Sequence, residues 1–144
     1  MAGKATAVKS GDELVRGVSA LAQSLGLQVR TQVRVARRIW GAVRRIDVVL
    51  THAETRRTLG VECKFQMVLG TAEEKIPATI QDIAAWPIRG LVVFDGDGFT
   101  PNMRSFLIAS GKAVEFGELR EWLALYFGLP ERTPGQDGGS SRLR

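Results

Sequence analysis

The most restrictive feature of the sequence is the heptapeptide GVECKFQ, residues 60–66. Glu62, Lys64 and Gln66 occupy every second position in it, and the positions between them are apolar. Such alternation predicts a half-buried β-strand, because successive side chains of a strand point to opposite faces of the sheet. One face of this strand therefore packs into a core, and the other presents a carboxylate, an ammonium group and an amide side by side.

The pattern of the remaining chain predicts the order of the other elements. Ser10 and Glu13 have the spacing of a capping box, and the apolar stripe after them predicts a helix over residues 11–25. Apolar and alternating segments predict strands over residues 27–36, 44–52, 59–66, 89–96 and 112–116, and helical spacing predicts helices within 70–86, 100–110 and 117–129. A turn near residues 40–42 joins the first two strands, and the second helix starts near either Thr71 or Pro77.

This order predicts an α/β fold of the mixed-sheet, α+β type. Three successive strands with short connections form an antiparallel meander, and a helix then leads to the strand RGLVVFDG. That strand is apolar without alternation, which is typical of a central strand buried on both faces. Helices are therefore expected on both faces of a central mixed sheet.

Length and composition predict one domain over residues 11–129, with a flexible N-terminus at 1–10 and a disordered tail at 130–144 that is rich in Gly, Ser and Pro. No apolar run reaches the roughly 20 residues of a membrane span, and the N-terminus lacks the apolar core of a signal peptide. A cytoplasmic location is expected. The one cysteine, Cys63, excludes an intrachain disulfide and a cysteine-based zinc cluster, and its place on the apolar side of its strand predicts a core residue.

The positive charge is concentrated in residues 28–45, which contain no acidic residue. The block holds Arg30, Arg34, Arg37, Arg38, Arg44 and Arg45, within a chain of net charge +5. Arginines that meet phosphates release counterions, so a block of this kind suits a polyanion such as nucleic acid. A basic, solvated strand pair explains it equally well.

A second carboxylate lies on the strand before GVECKFQ, at Asp47 in RRIDVVL. Neighbouring strands are about 4.8 Å apart, so Asp47, Glu62 and Lys64 can share one face. Two carboxylates suit Mg²⁺, and a lysine beside the ion can orient or deprotonate an attacking water. A solvated ion pair on an exposed sheet face is the alternative, although charges within apolar strands are costly unless they are paired or bind metal.

RRID followed by VECKFQ resembles the PD-(D/E)XK nuclease superfamily, whose restriction-endonuclease-like core has an αβββαβ order that matches the predicted one. The segment GTAEEKIP, residues 70–77, is similar to one that follows the Glu-x-Lys strand in many small proteins of this kind. The resemblance covers about residues 11–116. Ile46 departs from the motif, because the superfamily often has proline at this position.

The resemblance implies that Asp47 and Glu62 are metal ligands and that Lys64 positions or activates the nucleophile. It implies roles for three further residues, each with an alternative. Glu13 is an extra metal ligand or only a capping-box residue. Gln66 holds a metal-bound water or the scissile phosphate, or is solvated, and Lys75 contacts phosphate or is a surface lysine.

The implied function is that of a Mg²⁺- or Mn²⁺-dependent endonuclease that hydrolyses DNA phosphodiester bonds. Little of the chain lies outside the core, so a structure-specific enzyme for junctions, flaps or nicks, or a weakly sequence-specific one, is favoured over a selective restriction enzyme. A cut through both strands requires two sites, which predicts a homo-oligomer. The alternatives are a non-catalytic nucleic-acid-binding module that keeps the fold and an RNA-directed nuclease.

Two further signals predict structure rather than chemistry. DGDGF, residues 95–99, begins like a calcium loop but lacks the ligands that the twelve-residue pattern needs at Phe99 and Phe106. A tight turn after the central strand is the better interpretation. His52, the one histidine, is expected to cap the end of a strand, with proton transfer or DNA contact as the alternative.

Overall fold

The computed structural model describes residues 10–37, 43–67 and 76–130. Its elements are α1 (Gly11–Ser24), β1 (Gln28–Arg37), β2 (Val43–Thr51), β3 (Thr58–Phe65), α2 (Ile76–Ala84), β4 (Arg89–Asp95), α3 (Pro101–Ala109), β5 (Ala113–Glu115), a 3₁₀ turn (Phe116–Glu118) and α4 (Leu119–Phe127). This is the predicted order, with bounds that differ by a few residues. The expected N-terminal segment, the turn at 40–42, the segment at 68–75 and the tail after residue 130 lie outside the described residues.

The five strands form one mixed sheet in the order β1-β2-β3-β4-β5. The pairs β1–β2 and β2–β3 are antiparallel, and the pairs β3–β4 and β4–β5 are parallel. Parallel neighbours need a long crossover, which the segments containing α2 and α3 provide. The predicted mixed sheet is therefore confirmed.

Apolar side chains on the two faces of the sheet build two separate cores. The first core lies between the sheet and helices α1 and α4, and contains Leu14, Val18, Leu119 and Leu123 with Val48, Val61, Leu91 and Val93 from the strands. The second core lies on the side of α2 and α3, and contains Ile83, Trp86 and Leu107 with Val49, Val92 and Phe94. Because β4 contributes to both cores with alternate residues, it is the buried central strand that its sequence predicted.

Helix starts follow local signals. Ser10 caps α1, because its Oγ accepts the Glu13 N–H at 3.1 Å. Thr100 caps α3 in the same way through the Met103 N–H, with Pro101 at the first helical position. No helix within the described ranges is long and apolar enough to cross a membrane.

Strands β1 and β2 change faces part-way along their length. Val29 of β1 and Val48 of β2 pack on the first core. Alternation alone would place Val33 and Ile46 on that same face. They pack on the second core instead. On β1 the change of face falls between Val29 and Val33, at the level of Gln32. The backbone φ of Gln32 is 52°, in the left-handed region.

Candidate active site

Asp47 lies where β2 leaves β3. The β2–β3 pairing has Val48 opposite Val61 as its last pair before Asp47. The backbone N–H of Cys63 instead donates to Oδ2 of Asp47 at 2.9 Å. A carboxylate thus takes the place of a ladder carbonyl, and this bond fixes Asp47 beside the segment that carries Glu62 and Lys64.

The alternation of β3 is as predicted from its sequence. Val61 is buried in the first core, and Cys63 and Phe65 pack against it. Glu62 and Lys64 lie on the other face, opposite residues of β4 whose side chains are buried in the second core. Their side chains are 22% and 35% exposed, and Nζ of Lys64 is 3.5 Å from Oε2 of Glu62.

The carboxyl group of Glu62 has a perturbed acidity. Burial, together with the negative charge of Asp47, raises its pKa from 4.5 to about 7, although Lys64 acts in the opposite direction. A further contribution comes from Asp82 on α2, which also raises this pKa. Glu62 therefore interacts with two other carboxylates and one lysine in a partly buried place. Burial also raises the pKa of the Cys63 thiol, which agrees with the expected core residue rather than a reactive thiolate.

The donor set fits a hard divalent cation. Mg²⁺ prefers one or two carboxylates and keeps several of its waters. A dication next to Asp47 and Glu62 would offset both the burial and the repulsion that raise the Glu62 pKa. Within the ranges described, no group of three or more His, Cys, Asp and Glu side chains could hold a metal ion. The candidate site is therefore a two-carboxylate site that leaves coordination positions for water and substrate oxygens.

Gln66 is buried rather than solvated, with only 5% of the residue exposed. Its Nε2 donates to the carbonyl of Gly98 at 2.7 Å, and its own carbonyl accepts the Gly98 N–H at 2.7 Å. Its backbone N–H donates to the carbonyl of Asp95. Gln66 therefore ties the end of β3 to the turn after β4, and contact with a metal-bound water stays a prediction.

The turn DGDGF requires its glycines because it lies against Gln66. A Cβ at Gly96 would be 2.3 Å from the Gln66 carbonyl oxygen, and a Cβ at Gly98 would be 2.7 Å from it. Arg104 of α3 donates to the Gly96 carbonyl at 2.9 Å and forms an ion pair with Glu115. The tight turn was expected, but the anchoring by Gln66 and Arg104 was not.

The structure does not bring every predicted residue to this place. Glu13 lies in the first turn of α1, on the side of the first core, and the charges that shift the Glu62 pKa come from Asp47, Lys64 and Asp82. Its role as an extra ligand stays a prediction. Lys75 lies outside the described residues. The contribution of Asp82 was not predicted. The one feature of the sequence that indicates it is the position of Asp82 next to Ile83, on the helix that follows the Glu-x-Lys strand.

The arginine block divides over two faces of the β1–β2 pair. Arg34 and Arg45 are exposed and stand directly opposite each other across the two strands. Arg30 is exposed opposite Val49, on the second-core side. Because Val33 and Ile46 face the second core, Arg34 and Arg45 point the other way. Arg37 and Arg44 belong to β1 and β2, without described side chains, and Arg38 lies outside the described residues.

His52 has the structural role expected of it. Its Nδ1 accepts the backbone N–H groups of Glu54 and Thr55 at 3.2 and 3.3 Å, and its ring stacks on Phe127. It thereby closes the turn between β2 and β3, at the opposite end of these strands from Asp47 and Glu62. The expected strand cap is confirmed.

Comparison with known proteins agrees with this geometry. The chain matches the PD-(D/E)XK nuclease superfamily domain over residues 6–123. It belongs to this superfamily. The resemblance inferred from RRID and VECKFQ is thus confirmed, and nucleases of this superfamily generally use divalent metal ions.

Two solved structures show the same fold at low identity. A protein of unknown function, AF1548, has a TM-score of 0.50 at 18% identity, over 72% of this chain and 58% of that one. The protein VC1899 from Vibrio cholerae has a TM-score of 0.50 at 13% identity, over 81% of this chain and 32% of that one. A repair endonuclease from Pyrococcus abyssi has a TM-score of 0.42 at 9% identity, over 74% and 48% of the two chains. This chain thus spans less than two thirds of the length of each, and no curated protein matches it.

Proposed function

We propose that this superfamily member is an endonuclease that uses Mg²⁺ or Mn²⁺ to hydrolyse DNA phosphodiester bonds. The observation that carries the proposal is the joint placement of Asp47, Glu62 and Lys64 where β2 leaves β3. A purely structural ion pair would need one carboxylate for the lysine. Burial and the charge of the second carboxylate, Asp47, instead raise the pKa of Glu62, which supports a site made for a cation of higher charge.

Each residue of this set has a distinct task in the proposed reaction. Asp47 and Glu62 hold the metal ion, Asp47 being oriented by the Cys63 N–H. When bound, the ion supplies charge neutralisation at the phosphate and a coordinated water of lowered pKa. Lys64, held by Glu62 at 3.5 Å, directs its ammonium group to the attacking water or to the scissile phosphate. Gln66 keeps the end of β3 in place through the turn at 95–99.

The arginines of β1 and β2 are proposed to contact DNA. Like charges directly opposite each other on neighbouring strands destabilise a sheet, so the pair Arg34 and Arg45 favours an anionic partner. Arg30 lies on the other face of this strand pair, the face of Glu62 and Lys64, and it is proposed to contact DNA there, as are Lys75 and the remaining arginines of residues 28–45. Because one domain supplies one site, cleavage of both strands would use two protomers in a homo-oligomer.

The test is metal-dependent cleavage of a panel that contains duplex, single-stranded, flapped and four-way-junction DNA together with RNA. The wild-type protein, Lys64→Ala and a control, Glu54→Gln in the remote β2–β3 turn, are assayed with Mg²⁺, with Mn²⁺ and with EDTA. Cleavage that needs metal and Lys64 but not Glu54 supports the proposal, and the best-cut member identifies the substrate. DNA binding without cleavage would favour the non-catalytic module, and preferential cleavage of RNA would favour an RNA-directed nuclease.

The DNA surface is tested by salt dependence. Arg34→Glu with Arg45→Glu is compared with Arg56→Glu, an exposed arginine of the β2–β3 turn. Each lost phosphate contact lowers the slope of log affinity against log salt by about 1, so the double variant should bind more weakly with a shallower slope. Unchanged affinity and slope would remove these arginines from the interface.

A further inference from the structure

Gln32 has a backbone conformation that is unusual for its place in the chain. It lies within the ten-residue strand β1, where the extended region is expected, yet its φ is 52°. The left-handed region is uncommon for residues other than glycine. In the described ranges, Arg56 alone shares this property among such residues, and it lies in the β2–β3 turn. A residue strained in this way inside a strand persists only where the surrounding structure enforces it.

The position opposite Gln32 is that of Asp47. The β1–β2 register pairs Thr31 with Val48 and Val33 with Ile46. Gln32 and Asp47 lie between these two pairs, and in the described strands they are not paired with each other. On the other side of β2, pairing with β3 ends at Val48. The ladder is therefore interrupted on both sides of Asp47, and its carboxylate is turned to the Cys63 N–H.

The change of face compensates for the strain at Gln32. Beyond this residue, Val33, Val35 and Ile46 pack on the second core, although regular alternation would direct them to the first-core side. Ile46 is fully buried there and Val33 and Val35 are half-buried, and burial of this apolar surface offsets strain at one residue in the left-handed region. The packing of these residues and the backbone of Gln32 therefore stabilise each other.

We propose that Gln32 is a positioning residue for the metal ligand Asp47. Its left-handed backbone interrupts the ladder at Asp47, so that the carboxylate lies beside Glu62 and Lys64 instead of belonging to a regular strand. The role belongs to the backbone and not to the exposed side chain of Gln32. This inference rests on the proposed function, because it assigns Asp47 to the metal ion.

The experiment measures Mn²⁺ binding by calorimetry in the whole protein with Gln32 replaced by valine, glycine or asparagine. Valine is β-branched and disfavours the left-handed region, whereas glycine and asparagine accept it. We expect Gln32→Val to weaken Mn²⁺ binding by about tenfold or more, as changes in supporting residues of metal sites do. The Mn²⁺ affinity of Gln32→Gly and Gln32→Asn should stay within about twofold of the wild type, because both residues accept the left-handed backbone.

The matched control is Arg56→Val, which places the same unfavourable residue at the other left-handed position. It should lower the stability of the protein and leave Mn²⁺ affinity unchanged. The amide proton of Cys63 reports the geometry directly, because its resonance should move upfield in Gln32→Val when the bond to Asp47 is lost, and should not move in Arg56→Val. If Gln32→Val does not fold, Gln32→Ala replaces it, and a smaller loss of Mn²⁺ affinity is expected.

Three results would separate the possible failures. Wild-type affinity in folded Gln32→Val, or in Gln32→Ala where it replaces valine, would overturn the inference. Loss of affinity in Gln32→Gly would assign the role to the side chain and overturn it as well. A wild-type protein that binds no Mn²⁺ and cleaves nothing in the panel would overturn the proposed function itself, and the inference with it.

Discussion

The two ends of the β2–β3 pair differ in how their polar groups are satisfied. At the turn end, Thr51 pairs with Thr58, and the His52 side chain accepts two N–H groups of the turn. At the other end the ladder stops, a carboxylate accepts the Cys63 N–H, and a second carboxylate has a raised pKa. One end therefore stabilises the hairpin, whereas the other places like charges together. The difference shows that one hairpin can carry both a regularly paired end and an end where like charges lie together.

The largest expected effect is on cleavage, which should depend on Glu62 at the site end of the β2–β3 pair and not on the turn end. Glu62→Gln should reduce metal-dependent cleavage on the order of a hundredfold or more, because an amide is a weaker ligand for a hard cation than a carboxylate. Glu54→Gln makes the same chemical change at the turn end and should leave cleavage rates as they are. Steady-state rates measured at saturating Mn²⁺ give both values. Equal rates for the two variants would remove Glu62 from the site.

The next effect concerns the turn that supports the site. Gly98→Ala should lower the free energy of unfolding by about 2 to 3 kcal/mol, because the added Cβ would overlap the backbone of Gln66. Gly117→Ala is the control, since a Cβ there meets nothing within 4 Å. Urea unfolding of both variants measures the difference. A cost for Gly98→Ala no larger than that for Gly117→Ala would mean that the turn does not hold Gln66.

A third effect is the pH dependence of the metal-free protein. Because the pKa of Glu62 is raised in the folded state to about 7, the folded protein holds this proton where the unfolded chain loses it. The resulting stabilisation is complete below pH 4.5 and is lost as the pH rises through 7. The free energy of unfolding, relative to Glu62→Gln, should therefore fall by about 3 kcal/mol between pH 4.5 and 8.

Chemical denaturation from pH 4.5 to 8 in EDTA measures this difference. Saturating Mg²⁺ should reverse the loss above pH 7, because binding to the folded state alone stabilises it. Parallel pH curves for the wild type and Glu62→Gln would contradict the raised pKa.

The smallest effect belongs to the turn end. His52→Ala removes the acceptor of two backbone N–H groups, and should lower the free energy of unfolding by about 1 kcal/mol, as the loss of a helix cap does. Cleavage should be unchanged, because His52 lies at the far end of the strands from Asp47 and Glu62. A loss of cleavage beyond the loss of folded protein would revive proton transfer or DNA contact as a role for His52.

Much of the fold and the centre of the site could be predicted locally. The alternation in GVECKFQ placed Val61 in one core and Glu62 with Lys64 on the other face, as found. This succeeded because the twofold period of a strand is a property of the backbone itself. Asp47 could be placed next to Glu62 because a short connection between two strands predicts an antiparallel pair.

Other features depended on residues distant in the sequence. Gln66 shares the polar alternation of Glu62, yet the turn containing Gly98 covers it. Asp82 acts on Glu62 only because α2 packs back on the second core. No pattern around Gln32 predicted its left-handed backbone, which accompanies the packing of Val33 and Ile46 on the second core.

The sequence by itself determined the order of the elements, the faces of β3 and the residue types that meet where β2 leaves β3. The tertiary structure alone decided which of these side chains are buried, how burial and the charges of Asp47 and Asp82 raise the pKa of Glu62, and where β1 and β2 change faces. The physical reason is the range of the forces. Strand alternation arises from bonds between successive residues, whereas desolvation and electrostatic repulsion depend on everything that the fold brings within a few ångström.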